Sequence, residues 1–135
     1  DGQGEISSEM AHSGDRSLKI TDEDERLGSN VSSAPMEVTG AGRYLLRGWI
    51  YTVSGSGIGM YMRYYDAQGN RLNETDERGW IAPIGSVSGE AGEWTPFEIE
   101  FETPEDTATM DLWIHSYSSA LVVAYLDDLE IVPAQ

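Results

Sequence analysis

The chain has 135 residues, 39% of them hydrophobic, which suffices for one domain with a core and is too short to suggest two. That composition excludes wholesale disorder, and no apolar run reaches the length of a membrane span. Eight basic residues against 24 acidic ones leave a formal charge of -16, which repels phosphate backbones and argues against nucleic acid and anionic membranes as partners.

The chain opens on Asp1 and Gly2 with no initiator methionine or signal peptide, so the expectation is a single domain, residues 1–135, cut from a longer polypeptide. Glu5 to Ser8 reads as a short strand. Ser17 to Thr21 alternates Leu18 and Ile20 with polar residues, the pattern of a half-buried strand. Asp22 to Arg26 reads as a solvated acidic loop. Val31 to Val38 is a weaker strand in which Pro35 points to an edge position or a bulge.

Tyr44 to Val53 is dense in aromatic and β-branched residues and is bounded by glycines, which predicts a long strand. The glycines from Gly55 to Gly59 predict a turn, and Met60 to Asp66 then reads as its hairpin partner. Those glycines lack the following lysine and helix of a phosphate loop. Residues 73–93 hold three clusters of turn-forming residues with Trp80 between the first two, and a connection this long is usually functional or disordered. Trp94 to Thr103 alternates, with Trp94 expected as a core anchor. Thr109 to Ser116 sets Met110, Leu112 and Ile114 against Asp111, Trp113 and His115, and the last strand runs from Val122 to Val132. No segment has a sustained helical period, so the class is all-β.

Alternation assigns Tyr44, Leu46, Ile50, Met60, Met62, Tyr64, Met110, Leu112 and Ile114 to the interior. The opposite faces then carry Arg47, Trp49, Tyr51, Tyr61, Arg63, Asp111, Trp113, His115 and Tyr117. If these strands share a sheet, they form one aromatic face with polar groups among the rings.

Five stretches in this order resemble the carbohydrate-binding modules with a galactose-binding-like fold: Ala11 to Ile20, Tyr44 to Ile50, Tyr64 to Gly69, Gly92 and Trp94 leading to Phe101 and Pro104, and Tyr125 to Ile131. Together they span nearly the whole chain, departing only at the start, where little precedes Glu5. The resemblance implies a jelly-roll β-sandwich of two antiparallel sheets. It also implies a secreted, monomeric accessory domain attached to a glycoside hydrolase or polysaccharide lyase, with a poly- or oligosaccharide as ligand.

The aromatic face suits such a ligand, because a sugar ring stacks its C–H face on an aromatic plane while its hydroxyls need donors and acceptors. Trp49, Tyr51, Tyr61, Trp113 and Tyr117 are the expected stacking rings. Arg47, Arg63, Asp111 and His115 are the expected hydrogen-bonding groups, and Trp80 is a candidate loop platform over the chain. A neutral or weakly charged β-linked glycan fits best. The resemblance also implies a structural calcium ion between the Ser13-Gly14 loop and the last strand, held by Asp127, Asp128, the chain near Asp15, and Glu5 or Glu9. The adjacent pair Asp127 and Asp128 predicts one inward carboxylate needing a partner. The two histidines and absent cysteines offer no nucleophilic or metal constellation, so catalysis is not expected. The alternative is a structural spacer or docking sandwich of a multidomain surface protein.

Overall fold

A computed structural model describes residues 3–7, 17–22, 30–38, 40–55, 57–87, 91–116 and 122–134. Its strands are β1 (Gln3–Ser7), β2 (Ser17–Asp22), β3 (Asn30–Ser32), β4 (Met36–Glu37), β5 (Gly42–Gly55), β6 (Ile58–Tyr65), β7 (Gly85–Val87), β8 (Trp94–Thr103), β9 (Thr109–Ser116) and β10 (Val122–Pro133). They form two antiparallel sheets. One has the order β1-β2-β10-β5-β8; the other has the order β3-β9-β6-β7, with β4 also paired to β9. Pro35 lies in the break between β3 and β4, where the missing N–H of proline interrupts no ladder.

The core fills the space between the sheets. Leu46 and Ile50 from β5 and Leu126 from β10 meet Met60 and Met62 from β6 and Ile114 from β9, and all six are almost fully buried. Each such side chain contributes about 1.5–3 kcal/mol by leaving water. Tyr64 also points inward, and burial pushes its phenol up to a pKa of about 12, so the ring is neutral at any physiological pH. The interior set expected from alternation is therefore observed, with Tyr44 only partly buried against it.

Two expectations about pairing are corrected. β5 and β6 are consecutive but do not form a hairpin: β5 pairs with β10 and β8, whereas β6 pairs with β9 and β7. The chain crosses from one sheet to the other between Gly55 and Ile58, and both glycines there, Gly55 (φ 76°) and Gly57 (φ 105°), take backbone angles that side chains disfavour. The second correction concerns the acidic pair in β10. Asp127 opposes Trp49 and Glu130 opposes Arg47, so two residues, Asp128 and Leu129, face Gly48 alone. This bulge puts Asp128 at φ 53° and leaves it exposed, with its N–H donating to Asp127 Oδ1 at 2.8 Å. Asp127 stays in register with the outward residue Trp49, so neither carboxylate turns into the core.

Gly48 is the counterpart of that bulge. A Cβ there would stand 2.7 Å from Leu129 Cδ2 and 3.2 Å from the Asp127 carbonyl oxygen. Gly48→Ala is expected to lower the unfolding free energy by about 1–3 kcal/mol, the usual cost of overpacking. Asp128→Gly, which relieves the left-handed backbone, is expected to leave stability equal or higher in the same urea titration.

Candidate functional site

The site is built on the outer edge of β6. At one end of that edge β7 pairs with Ile58 to Met60, and the Ile84 N–H donates to the Met60 carbonyl at 2.8 Å. At the other end the Leu72 N–H donates to the Tyr64 carbonyl at 2.7 Å. The Asn73 side chain does the rest: its Nδ2 donates to the Met62 carbonyl at 2.8 Å and its Oδ1 accepts the Tyr64 N–H at 2.9 Å. A primary amide thus stands in for a neighbouring strand and satisfies both backbone groups. Anchored at both ends on one strand, residues 74–83 arch outward instead of extending the sheet.

The tip of that arch is a tight turn held by Asp76. Its backbone N–H donates to the Trp80 carbonyl and its carbonyl accepts the Gly79 N–H, both at 2.9 Å. Its carboxylate accepts the N–H groups of Arg78 and Trp80 and two guanidinium N–H groups of Arg78, the closer at 2.8 Å. These bonds, the Arg78 side chain first, hold the Asp76 carboxyl below the usual carboxylate range. The Arg78 guanidinium lies 4.0 Å from the centre of the Trp80 ring and covers one face of it, while Trp80 remains 60% exposed.

Beside the arch, on the outer face of β6 and β9, lies a ring cluster. Tyr61 and Trp113 are register partners with ring centres 4.6 Å apart, and His115 stacks on Trp113 at 4.8 Å and 21°. The register partner of His115 on β6 is Gly59, and the Tyr61 ring stands edge-on to the imidazole at 6.0 Å. Arg63 Nε donates to Asp111 Oδ1 at 2.7 Å and its Nη2 donates to Ser32 Oγ at 2.9 Å, with its guanidinium 5.6 Å from the Trp113 ring centre. Between this cluster and residues 74–83 is a cleft of about 890 Å³, lined by Tyr61, Trp113 and His115 on the sheet and by Trp80 on the arch. Tyr61, only 7% exposed, is its floor and offers no open ring face.

The structure divides the expected single aromatic face in two. Tyr61, Arg63, Trp80, Asp111, Trp113 and His115 gather on the second sheet. Arg47, Trp49 and Tyr51 stand on the outer face of the first sheet, on the other side of the core. There Tyr51 sits between Tyr125 and Trp94, 6.4 and 5.5 Å away centre to centre, and Arg47 Nε is 2.5 Å from Glu130 Oε1. Trp94, expected as a core anchor, joins this outer row and is half-buried against Tyr51. Tyr117, Glu9 and Asp15 lie outside the described residues, as does the side chain of Glu5. Among the described residues no three acidic or histidine groups converge as metal ligands.

No protein-family model and no curated protein matches the sequence. The fold, however, is similar to solved structures. A family 16 carbohydrate-binding module superposes with a TM-score of 0.64 at 14% identity, covering 96% of this chain and 84% of that one. The xylan-binding domain CBM22-1 of Paenibacillus barcinonensis Xyn10C gives 0.61 at 13%, over 99% of this chain and 82% of that one. This chain has the jelly-roll sandwich of carbohydrate-binding modules. The CBM22-1–GH10 modules of Clostridium thermocellum Xyn10B, solved with xylohexaose, give 0.68 at 16%, over 98% of this chain and 25% of that longer one.

Within this carbohydrate-binding-module fold, four cleft-building residues escaped the sequence reading: Arg71, Asn73, Asp76 and Arg78. Asp76 was legible only as one of several turn formers, and nothing in the local pattern marks Asn73 as the substitute strand. Asn73→Ala orphans the Tyr64 N–H and the Met62 carbonyl and is expected to cost about 1–3 kcal/mol in urea unfolding. Asp76→Ala is expected to leave the global unfolding midpoint unchanged while making residues 74–83 faster to cleave by limited proteolysis.

Proposed function

We propose that the chain is a non-catalytic carbohydrate-binding module that takes a β-linked polysaccharide into the cleft between residues 74–83 and the Trp113 cluster. The observation that carries this is the exposed indole of Trp80, fixed by Asp76 and Arg78 on the arch of a cleft whose other lining includes Trp113 and His115. A sugar ring would stack on the Trp80 face that Arg78 leaves open. The cleft carbonyls, carboxylates and imidazole would take its hydroxyls. Asp76 is committed to four bonds within its own turn, which suits binding better than the paired acid and base of glycoside cleavage.

Xylan is the first polysaccharide to test, because two of the similar structures are a xylan-binding domain and a module solved with xylohexaose. In this proposal the module is secreted and targets an attached polysaccharide-degrading domain, an arrangement like that of the modules solved together with GH10. Stacking on one indole is worth about 1–2 kcal/mol, by analogy with aromatic burial, so Trp80→Ala is expected to weaken binding roughly 5–30-fold. Trp49→Ala, on the opposite sheet, is expected to change affinity less than about twofold. Affinity gel electrophoresis in xylan reads both; equal retardation of all three proteins would remove the cleft from the proposal.

The structural calcium stays in the proposal with a reduced ligand set. Asp127 is half-buried, and the Leu126 to Leu18 pair leaves Ser17 as the next position along β2. Asp127 thus stands next to Ser17, the first residue of β2, and would be the ligand from the last strand. Calcium at about 100 times its Kd would add about 2.7 kcal/mol of stability. Chelation is then expected to lower the melting temperature by several degrees, and a curve unmoved by chelator would remove the ion.

A further inference from the structure

The arginines among the described residues follow one rule with one exception. In a protein of 24 acidic and eight basic residues, each guanidinium is expected to find a carboxylate. Arg43 pairs with Glu100, Arg47 with Glu130, Arg63 with Asp111, and Arg78 with Asp76. Among the described residues Arg71 alone has no carboxylate partner, and it lines the cleft. Glu74, three residues further on and lining the same cleft, makes no ion pair with it. The Arg71 backbone is fixed by a bridge to Tyr65, so the side chain starts from an anchored position at the foot of the arch.

An arginine fork fits a planar carboxylate with two parallel N–H bonds, a geometry that neutral hydroxyls do not match. A polyanionic chain is excluded by the net charge of -16 and by Glu74 and Asp76 in the cleft itself. Both conditions are met by a neutral backbone that carries isolated acidic groups. We infer that the ligand is a β-linked neutral polysaccharide bearing sparse uronic acid substituents, and that Arg71 receives the carboxylate. The inference rests on the cleft being the sugar site.

The test is titration calorimetry with three oligosaccharides on one xylohexaose backbone: unsubstituted, carrying a single glucuronic acid, and the same after reduction of its carboxyl to an alcohol. A sulfated version is a fourth arm. The uronic acid form is expected to bind about 3–10-fold tighter than its reduced form at low ionic strength, in line with a partly solvated charged hydrogen bond. That gap is expected to close in Arg71→Ala, to survive in part in Arg71→Lys, and to shrink with added salt. Circular dichroism and the unfolding midpoint establish that both variants are folded; Arg71→Gln replaces Arg71→Ala if that variant is not.

Equal binding of the acidic and reduced forms by the wild type overturns the inference while leaving the sugar site standing. So does a gap that persists without Arg71, which would give the carboxylate to another cation. Sulfate bound as tightly as uronate overturns the commitment to a carboxylate. Binding of none of the four overturns the sugar site and the inference together.

Discussion

The site depends on a hydrogen-bonding requirement at the edge of one strand. The free edge of β6 presents backbone groups that cannot be left buried without partners, and the chain satisfies them with two short pieces and one amide. Leu72 and Asn73 close one end and β7 closes the other. Because both closures are made from the same continuous stretch, the ten residues between them must leave the sheet plane. The arch, its tip at Trp80 and the cleft beneath it all follow from that necessity.

The same arch explains a departure from regular patterning. On β9 buried and half-buried residues alternate without a break, as expected of a sheet with one wet face. On β6 the alternation fails, because Gly59 and Tyr61 on the outer face are as buried as Met60 and Met62 on the inner one. A covered outer face marks the place where another part of the chain lies over the sheet. Rigidity accompanies the cover: the Asp76 carboxylate ties Arg78 and Trp80 into one turn, so the platform is ordered before any ligand arrives.

Alternation told which side of its own strand each residue of Tyr44 to Val53, Met60 to Asp66 and Thr109 to Ser116 occupies, and the interior set followed from it. It carries no information about which strands are neighbours. Trp49 and Trp113 therefore looked like members of one face and lie on two. The short glycine-rich link between β5 and β6 resembles a hairpin turn in composition, yet it spans the sandwich. The bulge at Asp128 was hidden because it uses aspartate in a backbone state that glycine usually signals. Two adjacent acids were read as one inward and one outward; an inserted residue lets both stay out. Asn73 was invisible for a different reason, since its partners Met62 and Tyr64 lie on β6; the bonds of Asp76 are local and mark a turn, but the pattern says nothing of the cleft that the turn borders.

The arch also separates two things that most loops combine. Its feet at Leu72, Asn73 and Ile84 bond to the sandwich, whereas the bonds of its tip, from Asp76 to Trp80, run within the turn itself. Changes of length or sequence between the feet leave the core ladder intact. The segment is set off from the framework like a cassette, so its sequence can reshape the cleft without a change to the strands that carry it.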